Sequence, residues 1–246
     1  MIFTSLHRLF KEKYFENKID YFDFFKLTRH YFPEINPKMG FVKKEYYTVV
    51  SDLNCDDNEI FSKLKKSTRY KINRGKREGI VFQVEEDVDK FFEYYNDFAL
   101  SKNLEELNYS TLIKYKEHMV ITKAVHENKI LVMHVHIYNA NIAMLLFSAS
   151  HFRNTLDSKE KNIIGYANLL LHYEEMLFFK GKGCEVYDFG GYAYETDDKS
   201  LIGINNFKDL FNPILTKRFI YTSWLLQSIV VLKSVFSKIG LKMRKL

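Results

Sequence analysis

Asn162-Ile163-Ile164-Gly165-Tyr166-Ala167 stands between a strand pattern, Ile142 to Phe152, and an apolar helix pattern from about Gly165 to Lys180. A second strand pattern, ending Tyr187-Asp188-Phe189-Gly190-Gly191, follows. Strand, glycine-bearing turn, helix and strand in that order build a phosphate-binding loop. Unpaired N–H groups and the positive dipole end of a helix suit a pyrophosphate there. Gly165 lets a phosphate approach the backbone, and Ala167 keeps the first turn slim.

Working outward, the segment from Ile80 is regular. A strand over Ile80–Glu86 is followed by helices over Val88–Lys102 and Tyr109–His118, the second capped by Asn108 or Ser110. Three strands come next, Val120–His126, Ile130–Tyr138 and Ile142–Phe152, with turns at Asn128-Lys129 and Asn139-Ala140-Asn141. Beyond the glycine-bearing helix lie a strand at Cys184–Phe189, a helix near Lys199–Leu210, a strand at Pro213–Ser223 and a helix at Trp224–Ile239. Upstream, residues 5 to 32 read as helical and aromatic, and Tyr46–Leu53 as a strand. Asp56 or Asp57 caps a helix running to Arg77 and stopped by Gly79.

The 246 residues suit one large domain or two small ones, and 46% hydrophobic with 28% charged residues is ordinary for a globular chain. The net charge of +6 is uneven. Phe61–Ile80 contributes +7 and Lys233–Leu246 contributes +5, leaving −6 for the remainder. That pattern describes an acidic body with two basic patches rather than a uniformly basic nucleic-acid binder. No internal repeat or low-complexity tract is present. Two distant cysteines, Cys55 and Cys184, make no disulfide framework, and the N-terminus lacks a signal-peptide pattern, so a cytoplasmic location is expected.

The order from Ile80, β-α-α-β-β-β-α-β-α-β, is that of the GNAT N-acyltransferase fold. Asn162–Ala167 resembles the Gln/Arg-x-x-Gly-x-Gly/Ala signature with which that superfamily grips the coenzyme A pyrophosphate, with Asn in the first position. Leu64–Ile80 resembles the basic helix preceding the main domain in the Fem-like branch. Tyr187–Gly191 and Gly203-Ile204-Asn205-Asn206-Phe207-Lys208 resemble that branch's two later signatures. The matches span about residues 61 to 222.

The resemblance implies an α/β (α+β) fold, a GNAT-like twisted mixed sheet flanked by helices, with a smaller N-terminal α/β subdomain. The expected division is an N-terminal part, 1–79, ending in the basic helix, and an acyltransferase domain, 80–246, ending in a helix. It implies acyl transfer from acyl-CoA to a primary amine. The acceptor expected is a nucleotide-linked amino sugar of cell-surface polysaccharide, O-antigen or cell-wall synthesis, since the long helical hairpin of the larger aminoacyl-tRNA-dependent members is lacking. Aminoacyl-tRNA-dependent peptidyl transfer and a non-catalytic binding role are the alternatives.

Under this reading the cofactor contacts are Asn162, Ile163, Ile164, Gly165, Tyr166 and Ala167, with Phe147, Ser148 and Ser150 near the oxyanion. Arg69 and Arg74 suit phosphate oxygens, and Tyr192 and Lys208 join them as substrate contacts. Asp188 orients or deprotonates the acceptor amine, with a turn-capping role as its structural counterpart. His134 and His136 share one strand face. Lacking a third ligand at a sensible spacing they point to no metal, and His134 is the further candidate base. Phe219–Leu232 falls short of a membrane span. The basic C-terminus suggests peripheral contact with anionic lipid, and a homodimer is a further expectation.

Overall fold

The computed structural model describes residues 2–5, 10–15, 19–32, 39–151 and 157–232. The chain forms two compact units, one of residues 1–46 with 217–246 and one of residues 47–216.

In the first unit, β1 (Ile2–Ser5), β2 (Phe10–Tyr14) and β3 (Leu27–Phe32) are strands, and Tyr21–Phe25 forms one 3-10 turn. The expected helix over residues 5 to 32 is therefore corrected. Short segments rich in Phe and Tyr satisfy their backbone groups in ladders, where aromatic side chains pack well on a pleated surface. β2 runs parallel to β3. The last strand, β10 (Ile214–Ser223), adds antiparallel to β3 through Phe219–Thr222. Inside this unit Asp23 collects Lys13 at 2.8 Å and His30 at 3.3 Å. Pro33 and Pro37 lie outside the described residues.

The second unit starts within β4 (Phe41–Asp52) and continues through α1 (Asp57–Lys63) and α2 (Lys66–Arg77). The single helix expected between Asp56 and Arg77 is thus two, with Leu64 and Lys65 extended between them. Asp56 caps α1 by accepting the Glu59 N–H at 2.8 Å. Gly79, at φ +78°, ends the second helix as expected. Then come β5 (Val81–Glu85), α3 (Val88–Ser101), α4 (Tyr109–Ile113), β6 (Met119–His126), β7 (Lys129–Tyr138) and β8 (Ile142–Ser150). α5 (Ser158–Gly181), β9 (Val186–Tyr192) and α6 (Lys199–Lys208) complete it. Phe152, the expected end of β8, lies outside the described residues. Strand order in this unit is β4-β9-β8-β7-β6-β5. Only β8 and β9 run parallel; the other neighbours are antiparallel. A mixed sheet flanked by helices is the fold class the element order implied.

α5 buries Ile163, Ile164, Ala167, Leu170, Leu171, Met176 and Phe179. Its neighbour is α2, whose Gly75 faces Tyr166 and Leu170 of α5. This contact places the basic helix in the same compact unit as the strands after it, whereas the sequence reading divided the chain at residue 79.

A Cβ at Gly75 would sit 3.4 Å from Tyr166 Cβ and 3.5 Å from both Ile80 Cδ1 and Leu170 Cδ2, which is ordinary contact. Gly75→Ala should therefore raise stability by up to about 1 kcal/mol through helix propensity. Gly75→Leu should overfill the seam and cost about 1–3 kcal/mol. Thermal unfolding of the two variants checks both signs.

Candidate active site

β8 and β9 pair only through Ile142–Met144 and Val186–Asp188. Each strand carries an irregularity where that pairing ends. In β8, Leu146 is the extra residue between the Leu145↔His136 and Phe147↔Val135 pairs with β7. In β9, two residues, Phe189 and Gly190, stand opposite the single Val49 of β4. Bulges bend a strand and increase its twist, so the two strands diverge, and the β8 edge from Leu145 onward has no strand partner on the β9 side. Alternate backbone N–H and C=O groups along that edge point into the opening. Leu145, Leu146, Phe147 and Ser148 are half-buried there.

The end of β9 is clamped from two directions. Asp188, buried, accepts the Gly190 N–H at 2.8 Å. The Thr48 hydroxyl lies between the Asp188 carboxylate and the Gly190 carbonyl, 2.8 Å from the latter. Gly190 has φ +76°, and a Cβ there would meet the Leu145 carbonyl oxygen at 3.0 Å, so both the turn and the close approach require glycine. From α6, Asn205 bonds both backbone groups of Ala193, at 3.1 and 2.8 Å. Lys208 donates to the Gly191 carbonyl at 2.5 Å. Burial pulls the Lys208 ammonium down to about 8, with the Asp188 carboxylate opposing the shift. The motifs Tyr187–Gly191 and Gly203–Lys208 thus meet as one constellation.

Asn162–Ala167 is placed differently from expectation. α5 starts at Ser158, capped by Asp157, which accepts the Lys159 N–H at 3.0 Å. The expected start near Gly165 is corrected: Asn162, Ile163, Ile164, Gly165, Tyr166 and Ala167 lie inside the helix. Their N–H groups are spent on carbonyls four residues earlier and cannot cradle a phosphate. The sequence reading took a mid-helix glycine for the turn that starts the helix. Burial of the surrounding apolar residues outweighs its propensity cost of about 1 kcal/mol. Asp157 and Glu160 also put negative charge at this helix start.

The two arginines are occupied within the chain. Arg69 donates to the carbonyls of Ser62 and Leu64, at 2.6 and 2.7 Å, closing the end of α1, and Arg74 pairs with Glu78. Lys66, Lys71 and Arg77 are exposed on α2 and have no ion pair among the described residues. Phe147 packs on α3, with ring centroids 5.7 Å from Tyr95 and 6.5 Å from Phe91. In register, Ser148 and Ser150 stand opposite His134 and Val132. Tyr192 donates to Asp209 at 3.3 Å. Cys184 is buried and its thiol is pushed up to about 11, unfit for nucleophilic work near neutral pH.

His134 lies in the layer between sheet and α5, in a cluster the sequence reading missed. Glu175, fully buried on α5, accepts from His134 Nδ1 at 2.9 Å, from the Tyr187 hydroxyl at 2.6 Å and from the Thr122 hydroxyl. The Tyr187 oxygen in turn accepts from His172 Nδ1 at 2.8 Å and His136 Nε2 at 3.0 Å. His134, His172 and Glu175 bring one donor atom each within 4.8 Å of one another. His172 and Glu175 were the partners missing from the strand pair, and only their i, i+3 spacing on an inward helix face signals them. Within the cluster, ring nitrogens and hydroxyls face one carboxylate and one phenol oxygen that accept. His134 Nε2 and His136 Nδ1 remain without a hydrogen-bond partner. Burial holds His136 down to about 4, while the surrounding histidines pull Glu175 well below the usual carboxylate range against its burial.

Both shifts make acid destabilising. A histidine depressed in the fold loses stability as pH falls from 6.5 toward 4, because only the unfolded chain takes the proton. A depressed carboxylate adds a loss below its unfolded value of 4.5. Glu175→Gln should cost about 1–3 kcal/mol at pH 7, since an amide cannot accept from every donor. It should also remove the part of the acid-side decline below pH 4.5. Melting temperature against pH for both proteins is the check.

No family model matches the chain, and neither does any curated protein. Solved structures do. FemX aligns at TM-score 0.61 and 11% identity over 79% of this chain, which spans 65% of FemX. The C-terminal domain of a protein named a lysylphosphatidylglycerol synthetase from Agrobacterium fabrum aligns at 0.54 and 16% identity, covering 80% of this chain and 68% of that one. L-PGS from Bacillus licheniformis aligns at 0.52 and 15% identity, covering 85% and 72%. At such identities the likeness is one of fold: the chain has a GNAT-like fold of the kind seen in FemX.

Proposed function

We propose that the chain is an N-acyltransferase, moving an acyl group from an acyl-CoA thioester to a primary amine at the parted β8–β9 edge. The observation that carries this reading is the coincidence of two bulges, an unpaired backbone edge and a lysine with depressed basicity at one place. The amine nitrogen attacks the thioester carbon, the C–N bond forms, and the carbonyl oxygen becomes an oxyanion. Backbone N–H groups of Leu145–Ser148 face that oxygen and stabilise it. Collapse breaks the C–S bond and releases the CoA thiolate. The amine proton passes to neutral Lys208, whose value of about 8 leaves a minor fraction unprotonated near physiological pH and most of it unprotonated above that value.

Asp188 serves this scheme as a positioning residue, holding Gly190 and opposing the loss of Lys208 charge. His134 has no part in it. The nucleotide phosphates meet Lys66, Tyr70 and Arg77, which share one face of α2, instead of Asn162–Ala167. The acceptor class is a nucleotide-linked amino sugar, with Tyr192 beside the entry. A second reading, aminoacyl-tRNA as donor, is favoured by the exposed cations of α2, Lys66, Lys71 and Arg77, which suit a nucleic-acid backbone.

Thiol release from acetyl-CoA should depend on an added amino-sugar nucleotide. Its kcat/KM should rise with pH to a plateau above about 8, because the base must be neutral. Lys208→Met should lower kcat about 10²–10⁴-fold with little change in KM for acetyl-CoA. Consumption of aminoacyl-tRNA without thiol release would establish the second reading, and inactivity with both donors would overturn the proposal.

A further inference from the structure

The Glu175 cluster holds more ligand capacity than its hydrogen bonds use. His134 Nδ1 stands 2.9 Å from Glu175 Oε1, and His172 Nδ1 and His136 Nε2 stand 3.4 and 3.6 Å from Glu175 Oε2. All four side chains are buried, and among the described residues the ion-pair partners of Glu175 are these histidines alone. A carboxylate buried without a cation is costly. His134 Nε2 and His136 Nδ1 are buried with no hydrogen-bond partner. A buried ring nitrogen in that condition marks a missing partner such as an ion.

The spacing fits a small divalent cation. Four N or O ligands held tetrahedrally at about 2.0–2.1 Å from an ion lie roughly 3.3–3.4 Å from one another. The three distances from the Glu175 oxygens to ring nitrogens fall within about half an ångström of that value. Three imidazoles and a carboxylate form a donor set that suits zinc, whereas magnesium and calcium prefer shells of oxygen alone. The contacts around the carboxylate agree. The Tyr187 hydroxyl donates to Glu175 Oε2 at 2.6 Å and the Thr122 hydroxyl donates to Oε1. Hydrogen bonds of that kind orient a carboxylate that ligates a metal.

We propose that His134, His136, His172 and Glu175 form a structural site for one divalent cation of the zinc type, joining β7 to α5. Four protein ligands leave no open position for a substrate, so the ion stabilises the fold and takes no part in chemistry. The strand pair His134 and His136 lacks further ligands nearby in sequence, and α5 supplies both of them. The proposal stands independently of the acyl-transfer reading. Because all four ligands are buried, loading of the ion belongs to folding.

The full chain is expressed with added zinc, purified through a weak chelator that strips surface metal, and assayed for metal by elemental mass spectrometry. The expected result is about one zinc per chain. The chain refolded in a strong chelator should be zinc-free and melt lower by on the order of 5 °C, with zinc restoring the transition and magnesium failing to. Refolding with Co(II) should give the visible absorption of a four-coordinate site. His172→Gln, folded by circular dichroism, should lose the zinc, while His118→Gln, on the surface, should keep it. A wild-type chain that holds no zinc and whose melting ignores zinc and cobalt would overturn the proposal, whatever the variants do. Zinc retained by folded His172→Gln would overturn it equally.

Discussion

Loss of hydrogen-bonded pairing between β8 and β9 after three residues is the constraint around which the second unit is arranged. Two adjacent parallel strands would ordinarily continue their ladder. Here one extra residue in β8, Leu146, and a two-against-one mismatch in β9 turn them away from each other. The cost is a row of backbone groups without a strand partner inside a sheet, and a row of that kind is a device for binding a polar group. The clamp on β9 keeps the opening from closing. Asp188 and Thr48 fix the Gly190 turn, and Asn205 and Lys208 fasten the residues after it.

Rigidity on the far side of the sheet comes from the Glu175 cluster. α5 crosses the strands and sends one carboxylate into the layer between them, where Thr122 of β6, His134 of β7 and Tyr187 of β9 all donate to it. A buried charge tolerated only with its donors in place fixes which strand residues face the helix. Tyr187 ties this cluster to the clamp, since the next residue is Asp188. The internal network and the candidate site are thus consecutive positions on one strand, facing opposite sides of the sheet.

Much of this was legible in the residues. The succession of strands and helices from Ile80 to Ser150 was readable, because strand-forming runs between Asn-bearing turns and an amphipathic helix are local signals. Tyr187–Gly191 and Gly203–Lys208 were recognisable through their resemblance to two signatures of the Fem-like branch. What failed was local too. Gly165 reads as a helix start until the burial of Ile163, Ile164 and Ala167 is known, and Phe-rich segments before residue 32 do not declare their period. Arg69 and Arg74 looked like phosphate ligands because a sequence cannot show that a guanidinium is already closing a neighbouring helix. The partners of His134 lie some forty residues away, on a helix whose rotation only packing decides.

The central claim is most directly tested by the structure of the chain with a non-hydrolysable thioether analogue of acetyl-CoA carrying the carbonyl group. The account predicts that the carbonyl oxygen lies within hydrogen-bonding distance of a backbone N–H between Leu145 and Ser148, with the acyl carbon facing Lys208. An analogue seated elsewhere, as in the cavity of about 300 Å³ lined by Val50, Ile60, Leu64, Met176 and Phe211, with the β8–β9 edge left empty, would contradict it.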